Sequence, residues 1–258
     1  MIAYIKEEFK RAFLSKMMGV AVILSIGSTI VGMFEYLLWL PYGDISVLYI
    51  FLSGYNMGTL NILAFLFPIV ASLPFAGSYL EDVKSGLANY LHLRIKPKQH
   101  ALIRLFVNGL TGGVALIAGP LIAFITVAIA KPIFGLPMLK EQIETVQSLQ
   151  ANGINSPWLM MILILIMLFI CGFIFATMSL GLSTLIHNVY LSLLAPFVVL
   201  IFSGTVLFSI NPDLHLIGLY DISYTSGSLQ QVTLGGTVLA ISILLYFIGG
   251  YMFNEKYR

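Results

Sequence analysis

Few residues in this chain have the types and spacing for chemistry, and most reaction motifs are missing. No Gly-x-x-x-x-Gly-Lys-Ser/Thr loop occurs, so the chain has no Walker site of its own with which to hydrolyse ATP. His92, His100, His187 and His215 lie far apart and belong to no His-Glu-x-x-His pair. Glu7-Glu8 with Arg11 has a superficial likeness to an intramembrane peptidase signature, but it precedes the first apolar stretch and has no partnered histidine. No Ser/His/Asp arrangement can be read. The single cysteine, Cys171, sits in the apolar run Met160–Ala176, with no Cys/His cluster to suggest a metal. The expectation is a protein without catalytic, cofactor-binding or metal-binding residues, and so not an enzyme.

The charged residues carry more information. Ser78-Tyr79-Leu80-Glu81 fits a capping box, with Glu81 and Asp82 in the first turn where the helix dipole favours anions. Leu80, Val83, Leu87 and Leu91 follow at helical spacing, and Lys84, Ser85 and Asn89 lie opposite. The basic run His92-Leu93-Arg94-Ile95-Lys96 leads to Pro97, which stops or bends this helix. Two readings stand. One is a basic loop that binds anionic lipid and fixes topology. The other is a lever docking in a groove of a soluble partner, with Glu81, Asp82, Lys84, Ser85, Gly86, Leu87, Tyr90 and Leu91 as the contact residues.

Met1–Lys16 is the second such segment. Ile2, Ile5, Phe9, Ala12 and Phe13 fall on one side of a helix, and Lys6, Glu7, Lys10 and Arg11 largely on the other. This is the pattern of a helix lying in the headgroup plane, or of a charged flank to the first span. Glu35 stands near the end of that span beside Tyr36 and Trp39. An ionisable residue in a span is a candidate site by default, although the interfacial aromatics here place it near water. Phe34, Phe65, Phe67 and Phe197, with Glu35, are the candidates for a substrate path.

The elements that position these residues follow from composition. Of 258 residues, 59% are hydrophobic and only 9% charged, against about 25% in soluble domains. Lipid is the solvent that fits. The net charge of +2 gives no reason to expect a nucleic-acid partner. Uncharged stretches long enough to cross a bilayer predict an all-α, polytopic chain with six transmembrane helices near 17–39, 59–77, 105–130, 158–182, 190–208 and 234–253. Segment 1–16 precedes them and 78–104 links the second to the third, all within one membrane domain spanning 1–258. Ile45–Gly58 reads as an outer loop. Leu139–Glu144 reads as a short amphipathic helix in the loop between spans three and four. Only Lys131 and Lys140 fall on one face, all other Lys and Arg on the opposite face, so the termini are expected in the cytoplasm. Gly109-x-x-x-Gly113 and Gly172-x-x-x-Ala176 read as close-packing sites, and Pro68, Pro74, Pro120 and Pro196 as bends. No cleavable leader is expected at the N-terminus.

Taken together, the Tyr4–Lys16 elbow, six spans and the long basic segment between spans two and three resemble the ABC-2 family of exporter permeases. Within that segment, Glu81-Asp82-x-x-Ser85-Gly86-Leu87, then Leu93-Arg94-Ile95-Lys96 and the Gly112-Gly113 pair are similar to small Gram-positive-type members. The resemblance implies that two permease chains pair, as a homodimer or heterodimer, and that two copies of a cytosolic ATPase bind below them. ATP and magnesium would sit on that ATPase, with Ser78–His92 as the coupling helix. It also implies that the elbow, through Lys6, Phe9, Lys10 and Phe13, touches the ATPase, and that short re-entrant helices lie within Ile210–Gln231. The implied role is export of an amphipathic or hydrophobic cargo, such as an antimicrobial peptide, a drug or a lipid-like molecule, across a bacterial cytoplasmic membrane. A peptide-binding immunity or sensing protein is the alternative, ahead of an intramembrane enzyme.

Overall fold

A computed structural model describes residues 2–43, 45–57, 62–87, 95–140, 144–151, 153–186, 188–221 and 228–256. Among them there are helices and no strands. The elements are α1 (Ile2–Phe13), α2 (Lys16–Leu38), α3 (Val47–Leu52), α4 (Ile62–Ser72), α5 (Ser78–Lys84), α6 (Pro97–Phe134), α7 (Glu144–Ala151), α8 (Pro157–Ser183), α9 (Val189–Phe202) and α10 (Ser228–Lys256). Among the described residues, five helices are long and apolar enough to cross a membrane, which makes this a multi-pass membrane protein. A sixth crossing is counted if the bent pair Val47–Met57 and Ile62–Ser72 is one span.

The core is a bundle built on α6 and α8, which pack at glycine distance. A Cβ on Gly172 would come within 2.7 Å of the Gly112 carbonyl oxygen, and Asn108 Nδ2 donates to the Ala176 carbonyl at 2.7 Å. The small-residue pairs therefore do pack helices. α2 crosses α6 through Ser25, whose hydroxyl donates to the Leu116 carbonyl at 2.9 Å and accepts from the Gly119 amide at 3.0 Å. Both ends of the bundle can be identified. At the near end, which holds α1, Ser15 caps α2 and donates to the Pro74 carbonyl at 3.2 Å. At the far end, the Val47 amide donates to the Pro137 carbonyl at 2.9 Å.

Several expectations are corrected. Ile45–Gly58 is not a loop: Val47, Leu48, Ile50, Phe51 and Leu52 are all buried in α3. The chain then continues as a π-turn, Ser53–Met57. The Ser and Gly that suggested a loop serve packing, since Ser53 Oγ donates to the Ile50 carbonyl and Gly32 of α2 leaves room for the Ser53 backbone. The second span's helical residues run 62–72, not 59–77, and 58–61 lie outside the described residues. Pro97 opens α6, in the first-turn position that needs no N–H, so this helix begins before 105; 88–94, before it, lie outside the described residues. Of the short helix expected at Leu139–Glu144, Leu139 and Lys140 are not helical and 141–143 lie outside the described residues; a short helix follows at Glu144–Ala151, where Val146 and Leu149 give it a buried side. The remaining spans lie close to their expected limits, α8 at 157–183, the α9 crossing at 189–210 and the apolar part of α10 at 229–249.

Candidate functional site

The near end holds the most unusual chemistry in the molecule, a buried ionic cluster drawn from three elements. α1 lies along the first turns of α6 and the contacts keep step. The Tyr4 and His100 rings are 5.8 Å apart, Glu8 Oε1 lies 3.9 Å from Arg104 Nη2, and Ala12 joins Val107 in one apolar cluster. α5 supplies Asp82. Arg11 holds this carboxylate with two hydrogen bonds, Nη1 at 2.9 Å and Nη2 at 2.6 Å, and Arg104 Nη2 donates to its Oδ2 as well. The side chains of Asp82 and Arg104 are each only 1% exposed. Both guanidinium groups lie over the Phe75 ring, 5.9 Å from its centre, where the ring face attracts cations. Tyr4 donates to Glu8 Oε1 at 2.9 Å.

Burial alone would push the Asp82 carboxyl up. The Arg11 hydrogen bond, and then the charge and hydrogen bond of Arg104, outweigh it and hold the group below the ordinary carboxylate range. The Tyr4 hydroxyl is pushed up by burial first and by the Glu8 carboxylate second. The cluster is therefore built to keep Asp82 ionised while it ties α5 to α1 and α6.

α5 shows where the other expected contact residues sit. Glu81, Lys84, Ser85 and Leu87 are exposed, while Leu80 and Asp82 face inward. The expected long helix ends at Lys84, because Gly86 takes φ +75°, a conformation that suits glycine. This turn takes Leu87 off the buried stripe. The capping box is not formed: Gly77 is the N-cap, with no side-chain cap bond, and Ser78 is already helical. Tyr90 and Leu91 lie outside the described residues. On α1, Lys6, Lys10 and Phe13 are exposed and Phe9 is half-buried.

A second constellation lies toward the far end. The Tyr220 hydroxyl donates to the Tyr55 carbonyl at 2.5 Å, and Asn56 Nδ2 donates to the buried carboxylate of Asp221. The Tyr220 ring stacks on Phe67 at 4.6 Å, and Phe67 meets Phe175 edge-on. Here the Ser53–Met57 π-turn meets the end of the 3₁₀ turn Leu216–Leu219, which follows a second 3₁₀ turn, Pro212–Leu214. A matching π-turn, Ser203–Leu207, extends α9, and its Ser203 hydroxyl accepts from the Leu216 amide at 3.1 Å.

The five residues expected on a substrate path do not converge. Phe65 and Phe197 meet edge-on at 4.8 Å with Phe65 on the bundle surface, whereas Phe67 is in the core against Tyr220. Phe34 and Glu35 are exposed on α2.

From sequence, Glu8 and Arg11 enter only a dismissed peptidase-like pattern, Arg11 also the charged face of the first helix, and Arg104 only the charges on the cytoplasmic side, while Tyr55, Asn56, Tyr220 and Asp221 carry no assigned role. Arg104 carried a usable signal. It stands within Ala101-Leu102-Ile103-Arg104-Leu105-Phe106-Val107, a charge with apolar residues on both sides that must find a buried partner. The far-end cluster joins residues 165 positions apart and left no local mark.

Compared with family models, curated proteins and solved structures, the chain matches none of them.

Proposed function

We propose that this chain is the permease subunit of an ATP-driven exporter, working with a separate cytosolic ATPase as the resemblance to ABC-2 permeases implies. One observation carries the reading. α5 is joined to α1 and to the first turns of α6 by the Arg11–Asp82–Arg104 cluster, while Glu81, Lys84, Ser85 and Leu87 remain exposed. A push on that exposed face is delivered to the long span α6, because the buried charges resist separation. No Walker loop is present, so the hydrolysis is assigned to the partner.

In this reading the bent pair is one span. Val47 is bonded at the far end and Pro74 at the near end, which supports counting the pair as the sixth crossing. The near end then faces the cytoplasm, with both termini there, and the positive-inside rule supports this. Two chains and two ATPase copies make the working unit in a bacterial cytoplasmic membrane. The cargo is amphipathic or hydrophobic, in keeping with a chain that is 9% charged.

The test is copurification. A tagged chain extracted in mild detergent is expected to bring down a soluble Walker-loop ATPase. Leu87→Asp puts a charge on the exposed face, and Gly86→Pro forbids the φ of +75°. Both are expected to abolish the association while the chain stays folded. Recovery of the chain with no ATPase under any extraction condition overturns the reading.

A further inference from the structure

The near-end cluster is unevenly satisfied. Asp82 accepts from both arginines, whereas Glu8 faces Arg104 Nη2 at 3.9 Å, beyond hydrogen-bond reach. Two of the buried polar atoms without a hydrogen-bond partner belong to these ionic side chains, Glu8 Oε2 and Arg104 Nε. They are complementary. Nε and Nη2 form one edge of the guanidinium, and a carboxylate meeting that edge accepts two parallel hydrogen bonds. Glu8 is already placed opposite Nη2, so a short side-chain movement would seat both its oxygens on Nε and Nη2.

We propose that Arg104 exchanges between Asp82 and Glu8, so that the cluster is a two-position latch between α5 and α6. In the arrangement seen here, Arg104 ties α6 directly to α5. In the other, Arg104 pairs side-on with Glu8 of α1, and Asp82 keeps its two bonds from Arg11 of α1. Each carboxylate then has its own arginine. No charge is created or lost and both orphaned atoms are satisfied, in return for one charge-assisted bond at Asp82. α5 then has no ionic tie to α6 and is held to it through α1 and through the apolar cluster that Tyr79 shares with Leu105, along which it can shift. The two arrangements trade one strong bond for relief of two buried orphans, opposing effects of similar order, and such a balance is what a switching element requires. The proposal rests on the reading of α5 as the element a motor pushes. It gives that push two positions to select.

The experiment measures the latch in the isolated full chain, so its outcome is independent of any ATPase. Spin labels are placed through Lys84→Cys on α5 and Leu102→Cys on α6, both exposed, with the buried Cys171 replaced by alanine. In lipid nanodiscs, pulsed electron–electron resonance is expected to give two distances in this background. Glu8→Gln removes the charge that receives Arg104 and is expected to abolish the longer distance. Arg104→Lys keeps the charge at Asp82 but lacks Nε, so it serves if the first variant fails to fold and is expected to do the same. A single distance in the background chain overturns the proposal, as does a two-distance distribution that neither variant changes. Failure here with ATPase association intact would remove the latch and leave the exporter reading standing. Loss of association with the latch intact would do the reverse.

Discussion

A proline inside a membrane helix leaves the carbonyl four residues back without its N–H donor, and lipid offers no water to replace it. Two such carbonyls here are served by serines from other helices. Pro120 of α6 frees Leu116, whose carbonyl takes the Ser25 hydroxyl at 2.9 Å; Pro196 of α9 frees Ser192, whose carbonyl takes the Ser179 hydroxyl at 2.8 Å. Ser25 and Ser179 are fully buried, so removing either hydroxyl orphans a buried acceptor. Ser25→Ala and Ser179→Ala are each expected to cost about 1–3 kcal/mol, seen as a lower Tm in detergent. Thr205→Ala is the control, because that exposed hydroxyl bonds only within its own helix, and a change of about 0.5 kcal/mol or less is expected. Equal losses at all three positions would mean that the prolines are satisfied in some other way.

At the scale of elements, the near-end cluster decides whether α1 and α5 stay on the bundle. Neutralising Asp82 leaves two guanidinium groups facing one loosely placed carboxylate, and breaking such a buried group typically costs about 3–5 kcal/mol. The low end applies here, because the Arg11 side chain is 36% exposed and can turn to water. Asp82→Asn is therefore expected to lower stability by about 3 kcal/mol at neutral pH. The sign of the pH effect follows from the lowered Asp82 value. A carboxyl held below its ordinary 3.8 contributes fully above that pH and loses its contribution as pH falls further. The gap between wild type and Asp82→Asn, followed by thermal unfolding in nanodiscs, is expected to stay constant from pH 7 to about 4 and to shrink below 3.8. A gap that closes already near pH 6 would show that Asp82 is not held by the two arginines.

These elements also show what could be read beforehand. Long uncharged runs gave α2, α8 and the α9 crossing to within a few residues, because a bilayer-length apolar run has few alternatives. α3 was hidden because its Ser-Gly-Tyr continuation has the composition of a loop, and the burial that makes it helical comes from α2 and α6. The partners of Asp82 were hidden for a similar reason. Its place on α5 was legible, but the pairing bridges 71 residues to Arg11 and 22 to Arg104, and no local pattern encodes it.

At the scale of the whole molecule, the question is whether the bent pair crosses the membrane. Its second half, Ile62–Ser72, has 11 residues, about 16 Å of helix, and cannot bridge about 30 Å of hydrocarbon alone. The two halves meet at 63°, the geometry either of a broken span or of a loop that enters and leaves on one side. The attachments favour the broken span of the proposed reading. Val47 bonds to Pro137, beyond the C-terminal end of α6, whereas Pro74 bonds to Ser15, at the start of α2, and α2 and α6 run in the same direction through the bundle. A loop returning to its own side would have both attachments at one end. α6 adds a constraint of its own. Its 38 residues extend about 57 Å, so some of its turns stand outside the hydrocarbon, and the basic Lys98 end with its α1 companion is suited to that position. If the pair crosses, Tyr42 and Lys84, which flank it, lie on opposite sides of the membrane; if it returns, they lie on the same side. Single cysteines introduced through Tyr42→Cys and Lys84→Cys, in a chain with Cys171 replaced, are both exposed. In intact cells an impermeant maleimide is expected to label position 42 and not position 84, and permeabilising the cells is expected to make position 84 react. Labelling of both positions from outside would mean that the pair returns to the side it entered, that the chain crosses five times, and that α5 faces away from any cytosolic motor.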